Sequence, residues 1–359
     1  MWRYKEYLPN IKKSHLVSIG EGNTPLVKSR YIGPSLGLQN LYFKLENLNP
    51  TGSYKDRFAS AFVSSLLEKN AGLCIATSSG NTGAALAAYC AAAKVECFLV
   101  IVDGAPHAKV RQIQLYGGKT FMAAGFGKDA GITKAVFDLL EQSAKAKKIS
   151  LPISAYSYCP EGMVGVQTIA YEILDELNGN VNHIFSPSGG GGLTLAIAKG
   201  VLHHKKYPAV CKVNCVQPSG NNTIANPLRL GLLKAEEVPS STTRISGLQV
   251  PGVLDGTETL LHCRRTGGNG YVVNDEDVFE IQKKLAFQEG VFCEAAGAVS
   301  ISGLVNAVKQ NEISADETVV CVITGSGFKE FAEASERFNL PDMENKVSLT
   351  ELEKILSGI

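Results

Sequence analysis

From about residue 55 onward, short runs of β-branched and aliphatic residues alternate with longer stretches whose apolar positions recur every three or four residues. "LCIAT" (73–77) leads into "NTGAALAAYCAAAK" (81–94), and "CFLVIV" (97–102) into "PHAKVRQIQLYG" (106–117), where Pro106 suits a first helical turn. The alternation continues through "KTFMAA" (119–124), a helix near 129–147, "LPISAY" (151–156), a helix near 161–177, "HIFSPS" (183–188), a helix near 193–204 and "CKVNCVQP" (211–218). A further strand, "TVVCVI", falls at 318–323. Such alternation predicts an α/β class with parallel sheets and helices on both faces. At 359 residues the chain is too long for one small sheet, and two open, twisted α/β domains flanking a cleft are expected. Boundaries near residues 55 and 155 make 55–155 the smaller domain, and 1–54 with 156–359 the larger.

Composition narrows the partners. Charged residues make up 19% of the chain at a net charge of +1, which provides neither a basic field for nucleic acid nor an acidic tail. Small, neutral partners fit better. The longest aliphatic run, "CFLVIV", is far below the ~20 residues of a membrane span, and "MWRYKEYLPN" lacks the apolar core of a secretory signal. Nine cysteines include no Cys-x-x-Cys, and Cys211 and Cys215 read as buried apolar thiols, so no metal site is expected and a reducing cytoplasm is.

Open α/β sheets place ligands at the carboxyl ends of their strands, so chemistry is sought just after each strand. "SSGNTG" (78–83) follows "LCIAT", and its hydroxyls and N–H groups at a helix start suit a carboxylate or phosphate; alone it would read as an ordinary helix cap. "GGGG" (189–192) follows "HIFSPS" and lets the backbone wrap a tetrahedral anion. It matches neither a P-loop nor a dinucleotide fingerprint, which leaves a cofactor's monoester phosphate as its natural occupant. Thr324 and Ser326 in "TGSGFKE" stand after "TVVCVI". Lys55, in "NPTGSYKDRFAS" (49–60), sits at a helix start, where the dipole disfavours a cation. Either it is a solvated lysine pairing with Asp56, or its amine is kept for Schiff-base chemistry.

Taken together, these loops occur in the order shown by pyridoxal-phosphate enzymes of the tryptophan synthase β fold, fold type II. The chain resembles the threonine synthase family in particular, through "WRYKEYLP", "GEGNTPLVKS", "ENLNPTGSYKDR", "SSGNTG", "AKVRQIQLYGGK", "EGVFCEAAGA" and "ITGSGFKE". The resemblance implies that Lys55 carries pyridoxal 5′-phosphate as a Schiff base and later moves the substrate's α-proton. It implies that Asn81 bonds the ring's 3′-oxygen, that Gly189, Gly190, Gly191 and Gly192 hold the cofactor phosphate, and that Thr324 faces the pyridine nitrogen. Ser78, Ser79 and Thr82 would grip the substrate carboxylate, and Lys109 would face a substrate phosphate. The roles of Glu294 and Ser326 stay open, and a homodimer is expected.

Departures from the family bear on the substrate. "SYCPEGMVGVQT" (157–168) has no arginine where the family places one on the phosphate of O-phosphohomoserine. "SGGGGL" resembles the glycine loop of threonine and serine dehydratases, Ser326 replaces a histidine and Phe58 a glycine. The chain-long resemblance favours threonine synthesis. The glycine loop and the missing arginine favour a dehydratase or β-replacement enzyme on a serine-, threonine- or activated-serine-like substrate. A non-catalytic binding protein would require every one of these loops to be coincidental. His203 and His204 read as a solvated helix end, His107 as surface, and Trp2 and Tyr4 as packing anchors of the N-terminal segment.

Overall fold

The strand-forming runs assemble into two sheets in the computed structural model, which describes residues 1–78, 80–105, 107–208, 211–340 and 346–358. The strands are β1 (Leu26–Lys28), β2 (Asn40–Leu45), β3 (Leu73–Thr77), β4 (Glu96–Ile101), β5 (Lys119–Met122), β6 (His183–Pro187), β7 (Lys212–Pro218), β8 (Gly270–Val273) and β9 (Thr318–Ile323). Six of them pair in the order β1-β2-β9-β6-β7-β8, and β3-β4-β5 form a separate sheet. Only β1 runs antiparallel, on an edge; every other pairing is parallel, as the alternation predicts. All five residues of β6 are buried, as are Val319–Ile323 of β9, which fits interior parallel strands covered on both faces. Residues 1–329 make one compact unit that contains both sheets, and 330–359 make a second that carries the helices Phe331–Arg337 and Leu349–Ser357.

Helices fall where the periodicity puts them at Asn81–Ala93, His107–Leu115, Ala130–Ala146 and Gly192–His203. Pro106 and the side chain of His107 lie outside the described residues. Three expectations fail. "LPISAY" is no strand: Pro152 offers no N–H, and the segment folds onto itself through Ile153 N to Leu151 O and Ala155 N to Ile153 O, both 2.8 Å. The helix near 161–177 is two, Pro160–Val166 and Thr168–Glu176, meeting at Gln167. His204 is also no solvated terminus, since it is buried among the rings of Tyr7, Tyr171 and Tyr207 and lies 3.2 Å from Asp175. Trp2 and Tyr4 do anchor the start of the chain, through Ser60 and Asp175 respectively.

The helix Lys55–Glu68 is the hub between the sheets. Arg57, fully buried, reaches Glu46 at 2.6 Å and Glu172 at 2.7 Å, and Lys44 lies 3.0 Å from Glu172. Glu172 is held well below the ordinary carboxylate range, because the cations of Arg57 and Lys44 outweigh the opposing effect of burial. The same helix meets Pro160–Val166 at close range: a Cβ on Gly162 would fall 2.6 Å from Phe58 Cδ2, and one on Gly165 would fall 2.9 Å from Ala61 Cβ. All nine cysteines are buried and unpaired. Among them Cys74 on β3, Cys97 opposite it on β4 and Cys90 on the intervening helix bring their sulfurs within 4.8 Å of one another.

Candidate active site

The turn before Lys55 is laced to the end of β9. Tyr54 N donates to Thr324 O at 3.0 Å, Ser326 N donates to Gly52 O at 2.9 Å, and Ser53 bridges Gly325. Gly52, at φ +83°, makes the reversal possible. Lys55 is thereby the first residue of its helix and a neighbour of the Thr324 loop. Its Nζ donates to Ser154 Oγ and stands 4.7 Å from the centre of the Tyr54 ring. Asp56 is not its partner. That carboxylate turns back and accepts from Thr51 N at 3.0 Å and Thr51 Oγ1 at 3.1 Å, closing the turn. Burial pushes the Asp56 carboxyl up to about 7, against the opposing pull of the Thr51 bonds.

Ser154, in the segment that fails to form a strand, is a second meeting point. Thr82 Oγ1 lies 3.4 Å from its hydroxyl, and a Cβ on Gly192 would fall 2.8 Å from its carbonyl oxygen. Lys55, Thr82 and the end of the glycine loop therefore converge on one residue. Ser78 Oγ accepts from Gly83 N at 3.0 Å and Gly80 N at 3.3 Å, which caps the Asn81–Ala93 helix; Ser79 lies outside the described residues.

Asn81 and Thr324 meet through Glu294. Asn81 Nδ2 is 3.0 Å from both Glu294 oxygens, and Thr324 Oγ1 donates to Oε1 at 3.4 Å. Glu294 N in turn donates to Gly325 O at 2.9 Å, so the ends of β3 and β9 and the start of the Ala295–Lys309 helix share one carboxylate. Residue type alone gave Glu294 no role; the signal in the sequence was its place immediately before an apolar, alanine-rich helix.

In the glycine loop the carbonyls face the protein. Gly189 O accepts from Gln217 Nε2 at 3.0 Å, Gly190 O from Asp255 N at 3.0 Å, and Gly191 O from Thr259 Oγ1 at 3.1 Å. Among the described residues, no acceptor within the chain meets the N–H groups of Gly189 to Gly192. Side chains are excluded on the Cβ side, where a Cβ on Gly190 would come 2.9 Å from Leu254 and Gly191 adopts φ +102°. Free amides at the start of the Gly192–His203 helix form an anion cradle. Asn81 Oδ1 and Ser188 Oγ, both buried, have no partner among the described residues. A cradle for a phosphate, a reachable lysine amine and orphaned polar atoms beside them fit a phosphorylated, ring-bearing aldehyde.

Lys109 stands apart from this cluster, with its Nζ 2.8 Å from Ser246 Oγ. It lines a pocket of about 450 Å³ together with Gln112, Ser326 and Lys329. No described helix is long and apolar enough to cross a membrane.

Comparison with known proteins agrees with this construction. A threonine synthase of Methanocaldococcus jannaschii is 33% identical over 100% of this chain and 87% of its own length. One from Methanosarcina acetivorans is 32% identical over 92% of this chain and 80% of its own. In structure, the processed form of threonine deaminase isoform 2 from Solanum lycopersicum superposes with a TM-score of 0.73 at 22% identity, covering 94% of this chain and 89% of that one. Maize serine racemase gives 0.71 at 22% identity, with 94% and 92% covered. The profile of pyridoxal-phosphate dependent enzymes matches residues 17–325, a span that takes in Lys55, Asn81, the glycine loop, Glu294 and Thr324, and the chain belongs to that family.

Proposed function

We propose that the protein is a threonine synthase, converting O-phosphohomoserine and water to threonine and inorganic phosphate. The observation that carries this reading is the likeness to threonine synthases along the whole chain, at 33% identity for the relative from M. jannaschii. Pyridoxal phosphate, when bound, supplies an aldehyde and an electron-withdrawing ring that acidify the C–H bonds of the substrate. Lys55 would hold the cofactor and, once displaced, move the α-proton with its neutral amine; its bond to Ser154 aims that amine. Ser78, Ser79 and Thr82 would bind the substrate carboxylate, and the amides of Gly189 to Gly192 the cofactor phosphate. The Thr324 hydroxyl would face the pyridine nitrogen and Asn81 the 3′-oxygen, with Glu294 orienting both. Residues 55–155 would form the smaller domain, and the protein would act as a homodimer.

A second reading, elimination or replacement on a serine-like substrate, is favoured by the absence of a cation between residues 157 and 168. Tyr156 N and Ser157 N are instead spent on the Asp255 carboxylate, at 2.6 and 3.0 Å. The experiment that separates the two supplies O-phosphohomoserine, threonine, serine, O-acetylserine and O-phosphoserine, and identifies the products by mass spectrometry. Threonine and phosphate from O-phosphohomoserine are expected, with Lys109→Ala losing that turnover while retaining cofactor. A keto acid or β-substituted product from a serine-like substrate, without phosphate release from O-phosphohomoserine, would establish the second reading.

A further inference from the structure

Cys74, Cys90 and Cys97 meet in the smaller sheet, away from the chemistry assigned to the loops above. Strand register creates the meeting: Cys74 on β3 pairs with Cys97 on β4, and the helix Asn81–Ala93 that joins those strands brings Cys90 to both. The absence of a Cys-x-x-Cys hides the cluster from the sequence. All three sulfurs lie within 4.8 Å of one another. Bonds of about 2.3 Å to a common centre hold three sulfurs roughly 3.5–4 Å apart, so a shift of about 1 Å closes the set.

Coordination number and charge restrict the occupant. Among the described residues no histidine or carboxylate joins the three sulfurs, so the site lacks the fourth donor of a structural zinc and suits soft, three-coordinate chemistry. Burial then sets the charge. Cys74 and Cys90 have no exposed surface, and all three cysteines belong to the apolar core that also holds Leu86 and Leu99. Three thiolates around a monovalent or divalent ion would leave net negative charge there, whereas a trivalent centre makes a neutral complex. Entry is short on one side. Cys97, 5% exposed, borders a surface pocket of about 230 Å³ with Ala87, Ala91 and Tyr116, which puts the cluster one local opening from solvent. Cys74 and Cys97 stand near the amino ends of their strands, while β3 ends at Thr77, about 10 Å further along, so the cluster is separate from the Ser78 loop.

We propose that Cys74, Cys90 and Cys97 form a trithiolate site for one trivalent, thiophilic metalloid, arsenic or antimony, presented as its neutral hydroxide. With As(OH)3, three As–O bonds break and three As–S bonds form. Each thiol proton leaves with a hydroxide as water, so three waters are released, the charge is unchanged and nothing is oxidised or reduced. The bound centre ties β3, β4 and the helix between them, whichever reaction the protein catalyses.

The test adds arsenite to reduced, desalted holoenzyme and reads binding by native mass spectrometry. The wild type is expected to gain one arsenic in place of three protons and to melt at a higher temperature. Cys74→Ala, Cys90→Ala and Cys97→Ala, each left with two thiols, should bind about tenfold or more weakly, while Cys215→Ala in the larger sheet should bind as the wild type does. Cofactor absorbance and melting temperature without arsenite verify that each variant is folded. Arsenic-edge X-ray absorption on the loaded wild type should show sulfur neighbours alone. No uptake by the wild type, equal uptake by Cys90→Ala, or an oxygen retained on the arsenic would overturn the proposal.

Discussion

Asp56 shows how far one residue can be read from its neighbours in the chain. Lys55 is legible because a cation at a helix start conflicts with the dipole and demands a reason. Asp56, next to it, invites the simplest pairing, and the structure turns it the other way, onto Thr51. No periodicity encodes that reversal, because it depends on the 49–52 turn folding back over the helix start. Its carboxyl stands at about 7 in the fold and about 3.9 in an unfolded chain. Between those values the native state retains a proton that the unfolded state has lost. The associated stability is complete below pH about 4 and disappears as pH rises through about 7, at about 1.4 kcal/mol per unit. Asp56→Asn, which keeps an acceptor for Thr51, removes this dependence. Urea midpoints measured from pH 4 to 8 should show the variant gaining on the wild type up to about pH 7 and the difference levelling off above it; a constant difference would mean that Asp56 titrates normally.

At the scale of elements, the strands and most helices follow from the 2.0 and 3.6 periods, and the failures have local causes. "LPISAY" has the residues of a strand but contains a proline and finds no strand partner. The Pro160–Val166 helix illustrates a dependence that periodicity misses. Gly162 makes the room that the ring of Phe58, on the facing helix, occupies. Gly162→Ala should therefore cost about 1–3 kcal/mol by overpacking. In a Phe58→Ala background the same change should cost far less, giving a coupling of about 0.5–3 kcal/mol in a double-mutant cycle by chemical denaturation. Additive effects would show that the two helices meet elsewhere in solution.

For the molecule as a whole, strand order is the least legible property. β9 inserts between β2 and β6, more than 100 residues from either, and nothing in the local sequence of β2 announces that partner. The glycine loop and the Lys55 turn could be recognised singly, but their convergence on Ser154 and Glu294 required the assembled sheets. What draws these segments together at the hub helix is the charge network of Arg57, Glu46, Glu172 and Lys44. Arg57→Met leaves two buried carboxylates with less or no compensation and should destabilise the fold by about 3–5 kcal/mol. Adding Glu46→Gln and Glu172→Gln should recover part of that loss in thermal or urea unfolding, because the orphaned charges are removed with it. No recovery would mean that the network acts through packing instead of charge.

The cysteines add a consequence of a different kind. Cys74, Cys90 and Cys97 are buried within the three-stranded sheet and its helix, while Cys215 and Cys321 are fully buried in the larger one. A thiol reagent can touch either set only during transient opening, so labelling serves as two clocks inside one polypeptide, each timing the breathing of its own sheet. Mass-resolved labelling under native conditions should show the first set reacting ahead of the second, because two edges frame only one interior strand, β4, in the smaller sheet. Substrate or anion that clamps the region from Lys55 to Lys109 would slow the first clock and leave the second running as before.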